Sequence, residues 1–258
     1  MWNDVVDLSA FYATPLGRMA RQAIGLQLRE IWPDLQGRRL LGLGYATPYL
    51  NQFRAETERS IAAMPAGQGA LPWPAGARGL TVLADETTLP LADRSIDRLL
   101  LVHGLEFGEP PNELLREIWR VLTDDGRLLI VVPARRGLWS SSDRTPFGQG
   151  QPYSMSQLTR LLRDNLFTPT TTTRSLYLLP LQSTTLLRIA PAWERVARRW
   201  FPRFAGVLLA EAGKEIYAAA PARRLKRRRA LLLPAPSLSR AATPQTSRSP
   251  TSPRPSPS

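Results

Sequence analysis

From Ser9 to Trp32 apolar residues recur at near-helical spacing (Leu16, Met19, Ala20, Ala23, Ile24, Leu28, Ile31), with Arg18, Arg21, Arg29 and Glu30 between them. An apolar stripe on a polar ground marks a helix packed on a core, so the pattern predicts one helix over 9–32, stopped by Pro33. Arg38 to Gly44 (RRLLGLG) is short, apolar and closed by glycine, which predicts a buried strand feeding a turn. Thr47 and Pro48 then offer an N-cap and a first-turn proline for a helix from Pro48 to about Ala55. Ser60 to Met64 and Leu80 to Ala84 are two further strands, parted by a segment rich in Pro, Gly and Ala. Ser95 to Val102 (SIDRLLLV) is a fourth, followed by an amphipathic helix from Glu113 to Leu122, a turn at Asp124-Asp125-Gly126 and the strand Arg127 to Val132.

After Pro133 the pattern changes. A polar loop from Ala134 to Pro152 precedes a helix from about Ser154 to Asn165, a strand from Thr170 to Leu178, a helical stretch from Pro191 to Ala212 and a last strand from Lys214 to Ala219. Strands alternating with helices predict an α/β fold, a doubly wound, mostly parallel sheet of seven strands. Residues 1–221 are expected to form one domain: an N-terminal helix over 9–32, a first half over 38–133 and later segments over 134–220. Residues 222–258 are a basic run followed by a Ser/Pro/Thr/Ala tract, too poor in apolar residues to offset the entropy of ordering, and are expected to be a disordered tail.

Charge changes this picture little. The formal net charge is +13, but nine basic residues and no acids fall in 222–258, leaving +4 for the body. A run such as Arg223 to Arg229 is ordinarily a solvated tail, so no specific nucleic-acid partner is expected. The absence of cysteine rules out thiolate metal sites, disulfides and cysteine nucleophiles, and the single histidine, His103, rules out a histidine-based zinc site. Metal-independent chemistry is expected. Met1 to Tyr12 carries Asp4 and Asp7 and lacks a signal-peptide pattern, and no run reaches the ~18 apolar residues of a membrane span. A cytoplasmic chain, soluble or at most peripheral, is therefore expected.

The segment ADETTLPLADRSIDRLLLVHGLEF (84–107) and then ELLREIWRVLTDDGRLLIVVP (113–133) resembles the class I S-adenosylmethionine-dependent methyltransferases, in particular those of methyltransferase type 11, and the likeness extends over roughly residues 38–133. The resemblance implies the Rossmann-like methyltransferase fold, with S-adenosyl-L-methionine as cofactor. It places Asp85, with Glu86 beside it, where the family binds the adenine amino group, and Leu89 and Pro90 in the loop next to the adenine. It makes Asp97 structural. It sets Gly42, Gly44, Ala46 and Pro48 on the positions of an acid and three alternating glycines, where only Gly44 keeps the pattern. A helix N-terminus there is implied for the methionine carboxylate. Where the family ends its second strand with an acid for the ribose, this chain has Met64 and Pro65, with Gln68 as a neutral substitute.

For methyl transfer to a hydroxyl or acidic carbon, His103 and Glu106 are the candidate general bases. Val102 to Phe107 lacks the Asp/Asn-Pro-Pro-aromatic signature of nucleic-acid amino methylation, and cysteine-dependent pyrimidine methylation is excluded. A small, apolar acceptor is expected. Trp139, Phe147 and Tyr153 either line its pocket or pin their loop. Trp193, Val196, Ala197, Trp200 and Phe201 follow helical spacing among arginines, which fits packing on the sheet or weak contact with a membrane surface. The rival reading is a binding or regulatory protein of this fold without catalysis, suggested by the absence of acids at Gly42 and Met64.

Overall fold

The strand Leu40, Leu41 and Leu43 belong to is apolar on both faces, and it sits inside the sheet with helices on either side. A computed structural model describes residues 4–76, 79–108, 110–142, 145–177 and 205–216. These residues belong to the unit Met1–Ala218; the expected tail, 222–258, and the expected aromatic helix up to Phe204 lie outside the described residues. The strands are β1 (Arg39–Gly44), β2 (Arg59–Pro65), β3 (Thr81–Ala84), β4 (Ile96–Val102), β5 (Leu122–Pro133), β6 (Phe167–Ser175) and β7 (Val207–Lys214). The helices are α1 (Val5–Ala13), α2 (Pro15–Ile31), α3 (Thr47–Leu50), α4 (Pro111–Val121) and α5 (Met155–Asp164).

The seven strands form one sheet in the order β3-β2-β1-β4-β5-β7-β6, parallel except that β7 runs antiparallel to both neighbours. One apolar layer packs Leu40, Leu100, Leu129 and Leu209 under α1 to α3. The other packs Leu41, Leu101, Ile130 and Ala210 under α4 and α5. The expected doubly wound fold is what forms. Among the described residues no helix is long and apolar enough to cross a membrane.

The expected single N-terminal helix is two. Pro15 has no amide to donate and disfavours helical geometry in the residue before it; Thr14 is extended and caps α2 by accepting from the Gly17 amide at 3.0 Å. The stripe Leu16, Ala20, Ile24 and Leu28 is buried as expected. Thr47, expected as an N-cap, is instead the first residue of α3, and the cap position, Ala46, makes no side-chain bond. The expected turn at Asp124-Asp125-Gly126 is an irregularity inside β5: Ile96 pairs with Leu122 and Arg98 with Arg127, so the extra residues bulge without ending the strand. The largest correction is at the C-terminal end, where Val207 to Ala212, expected to be helical, belongs to β7. A short apolar run cannot be assigned by periodicity; pairing with β5 and β6 on both sides decides it.

Candidate active site

The strand order reverses between β1 and β4, because the chain winds outward through β2 and β3 on one side and through β5 on the other. Open α/β sheets bind ligands at the carboxyl ends of the strands beside such a reversal. Gly44 closes β1 there with φ of 75°. A Cβ at Gly44 would collide with the Val102 carbonyl oxygen and come within 3.0 Å of that of His103. Only glycine lets β1 leave the sheet so close to β4, with the Tyr45 amide donating to Val102 O at 2.8 Å. Gly42 departs from the family pattern for a packing reason: a Cβ would lie 2.7 Å from Leu50 Cδ1 and 2.9 Å from the Ala46 methyl. Apolar closure of α3 on β1 has taken the room of the acid. The implied anion site at the start of α3 is also not formed, since α3 is a single turn and the Tyr49 and Leu50 amides both donate to Ala46 O.

His103 follows β4 with φ of 49° and is fully buried. Its Nδ1 lies 3.1 Å from Glu106 Oε1 and its Nε2 2.9 Å from the Tyr12 hydroxyl, which is 3.0 Å from the Tyr49 hydroxyl. An ionised carboxylate only accepts, so beside an ionised Glu106 Nδ1 carries the proton, and in the neutral ring Nε2 then accepts from Tyr12. Burial, reinforced by Tyr49, raises the Tyr12 pKa well above that of an ordinary phenol, so this hydroxyl stays neutral. Gln68 Nε2 donates to the His103 carbonyl at 3.1 Å, and the Gln68 carbonyl accepts from the Val5 amide at 2.9 Å, tying α1 over the edge. Two acceptor oxygens in this cluster, Glu106 Oε2 and Gln68 Oε1, are buried without a hydrogen-bond partner. Such atoms cost roughly 1–3 kcal/mol each unless a donor reaches them.

The structure thus brings together Gly44, Gln68, His103 and Glu106 from the residues the sequence singles out and adds Tyr12 and Tyr49. Asp85 is exposed on the loop after β3, on the same edge of the sheet. The Thr87 hydroxyl and amide donate to its Oδ1 at 2.6 and 2.8 Å and hold its carboxyl below the usual carboxylate range. Glu86 beside it is partly buried, and burial raises its carboxyl. Leu89 is buried in the core beneath α4, with its amide donating to Glu117 Oε1 at 2.7 Å, so its place is packing. Asp97 is structural: it accepts from Arg39 Nε and Nη2 at 2.9 and 3.0 Å and from the Arg39 amide. Trp139 and Phe147 are buried, Phe147 standing 4.9 Å from the His103 ring, and they pin the loop after β5. Tyr153 lines a cavity.

Tyr12 and Tyr49 escaped sequence reasoning because they lie 91 and 54 positions from His103. The one local sign was a phenol on the buried face of α1, directly before the Ala13-Thr14-Pro15 break.

The methyltransferase-domain family matches residues 34–130. An uncharacterised Escherichia coli (strain K12) protein, YafS, is 34% identical over 116 residues, a match that takes in 45% of this chain and only 44% of that protein. A methyltransferase structure from Thermotoga maritima superposes with a TM-score of 0.57 at 18% identity, covering 82% of this chain and 96% of that one. The 1,6-didemethyltoxoflavin-N1-methyltransferase of Burkholderia thailandensis, with bound 1,6-didemethyltoxoflavin and S-adenosylhomocysteine, reaches a TM-score of 0.50 at 18% identity over 74% of this chain and 76% of its own. At such identities the structures speak for the fold. With the strand order and the reversal at β1 and β4, they show that this chain has the Rossmann-like fold of the class I S-adenosylmethionine-dependent methyltransferases, and that residues 34–130 are similar to the methyltransferase-domain family.

Proposed function

We propose that the chain transfers a methyl group from S-adenosyl-L-methionine to a small-molecule acceptor at the edge between β1 and β4. The observation that carries this reading is the pair of buried, unpartnered oxygens, Gln68 Oε1 and Glu106 Oε2, flanking His103 where the strand order reverses. A donor-rich ligand would satisfy them. The residues present fit the cofactor in an altered form. Asp85, whose Oδ2 is not used by Thr87, would accept from the adenine amino group. Gln68 would take a ribose hydroxyl in place of the acid absent at the end of β2, and the glycine turn at Gly44 would let backbone approach the ligand. Among the other positions the resemblance singles out, Gly42 and Ala46 support this turn by packing, and Glu86 flanks Asp85.

When bound, the sulfonium supplies an electrophilic methyl group and leaves as the neutral thioether. The chain's own residues manage the proton. Tyr12, neutral and already donating to His103 Nε2, accepts the acceptor's proton on its oxygen as it passes its own to Nε2. Glu106 on Nδ1 stabilises the resulting imidazolium and fixes the ring. His103 and Glu106 therefore act as one unit, and Tyr12 is the atom the acceptor meets. Tyr153 supports an apolar contact for the acceptor body.

The test is incubation with methyl-labelled S-adenosylmethionine and a pool of low-molecular-weight metabolites. Label should move to a small acceptor, and His103→Asn should slow transfer by about 100-fold or more. Label remaining on the cofactor with the wild-type chain, or equal rates in both proteins, would overturn the reading.

A further inference from the structure

A cavity of about 650 Å³ opens at the carboxyl end of β5, between the loop after it and the start of α5. Its apolar wall includes Ala134, Tyr153, Met155 and Leu208. Three arginines, Arg135, Arg136 and Arg174, also line it, and among the described residues no acid does. Among the described residues none of the three meets a carboxylate; Arg135 Nε donates only to the Pro152 carbonyl, at a long 3.4 Å. Some arginines elsewhere meet carboxylates, as at Arg29–Glu56, Arg39–Asp97 and Arg120–Glu117. Three like charges gathered on one cavity repel one another, and the arrangement gains when an anion enters. Guanidinium forks match carboxylate and phosphate oxygens in pairs. Ser154, Ser156 and Gln157 add neutral polar groups on the same wall.

The cavity is joined to the candidate active site. Tyr153 pairs with Ala134 beside β5, and its hydroxyl reaches the Leu105 carbonyl at 3.5 Å, while the Gln151 amide donates to the Glu106 carbonyl at 2.8 Å. The loop that walls the cavity therefore rests on the segment carrying His103 and Glu106.

We infer that this cavity holds the acceptor, and that the acceptor is a small molecule with an apolar body and an anionic group, carboxylate or phosphate, gripped by Arg135, Arg136 and Arg174. Naming the ligand the acceptor rests on the methyl-transfer reading; the anion site itself does not. With the anionic group held by the arginines, the apolar body lies against Tyr153 and its far end points along the loop towards Tyr12 and His103.

The experiment titrates the full chain with benzoate, phenyl phosphate, inorganic phosphate and the neutral benzyl alcohol, following binding by ligand-observed NMR. Benzoate or phenyl phosphate should bind, and whichever binds more tightly identifies the anionic group. Inorganic phosphate should bind more weakly than phenyl phosphate, and benzyl alcohol at least 10-fold more weakly than the better anion. The pair Arg135→Gln and Arg174→Gln should weaken that anion at least 10-fold, while Arg163→Gln, on the exposed last turn of α5, should leave it unchanged. Absence of anion binding, benzyl alcohol binding as well as the anions, or equal loss in Arg163→Gln would overturn the inference. Cofactor titration separates the two claims: binding of S-adenosylmethionine without anion binding removes this site and leaves methyl transfer standing.

Discussion

Replacing Gly44 by alanine separates two physical costs that the turn after β1 combines. The first is backbone: a Cβ-bearing residue at φ of 75° sits in the left-handed region, at about 1–2 kcal/mol. The second is steric, because the new methyl collides with the Val102 carbonyl oxygen and crowds that of His103 at 3.0 Å. Those atoms belong to β4 and its exit, so relief requires β1 and β4 to part. Parting them weakens the Tyr45–Val102 hydrogen bond, worth about 1 kcal/mol, and disturbs the packing at about 1–3 kcal/mol. The sum is about 3–6 kcal/mol, or a fall in melting temperature of about 6–24 °C for a body of this size. Gly37→Ala is the internal control: its φ is 68°, but nothing lies within 4 Å of the added methyl, so only the backbone cost applies. Differential scanning fluorimetry and urea unfolding of both variants measure the difference. Gly44→Ala should exceed Gly37→Ala by at least about 1.5 kcal/mol; equal losses would show that β1 and β4 do not meet as described.

Three further outcomes follow from buried or half-buried polar groups. Asp97→Asn should destabilise by about 1.5–3 kcal/mol at neutral pH, the range for hydrogen bonds to a charged group. The Arg39 bonds hold the Asp97 carboxyl below its ordinary value, so this contribution is complete above about pH 4 and shrinks as the pH falls through the folded-state pKa; a difference from wild type that stays constant in acid would refute it. Lys214 is buried over the Trp119 ring at 3.9 Å and donates to Leu122 O at 2.9 Å, and burial lowers its pKa. Its charge therefore opposes folding below the folded-state pKa and the cost fades as pH rises towards about 10. Wild-type stability should gain on Lys214→Met across that alkaline range, and parallel pH profiles would show the shift is absent. Tyr12→Phe strips partners from His103 Nε2 and Tyr49, which predicts a loss of about 1–3 kcal/mol and slower methyl transfer; a variant with wild-type stability and turnover would remove Tyr12 from the network.

The fold was legible where hydrophobic runs were bounded by unambiguous breakers. Gly44 closing RRLLGLG, the acids and arginines around Leu114, Leu115 and Ile118, and Ser154 before α5 each mark an element's edge within one or two residues. It was illegible where pairing partners decide. Val207 to Ala212 reads as well in a helix as in a strand until β5 and β6 flank it, and the bulge at 123–126 is visible only in register with β4. At the candidate site, His103 and Glu106 were legible because three positions separate them on one segment. Tyr12 and Gln68 were not legible as partners of His103, since folding brings them to it from 91 and 35 positions away. The packing of Leu50 and Ala46 against Gly42 likewise explains a departure from the family pattern that sequence alone records without a cause.

The central claim, that the edge between β1 and β4 binds S-adenosylmethionine, is tested most directly by isothermal titration of the full chain, wild type beside Asp85→Ala. One site is expected, with a dissociation constant of about 1 to 100 μM, competed by S-adenosylhomocysteine, and with about 10- to 100-fold weaker binding in Asp85→Ala at an unchanged melting temperature. No heat of binding with the wild-type chain up to millimolar ligand would contradict it.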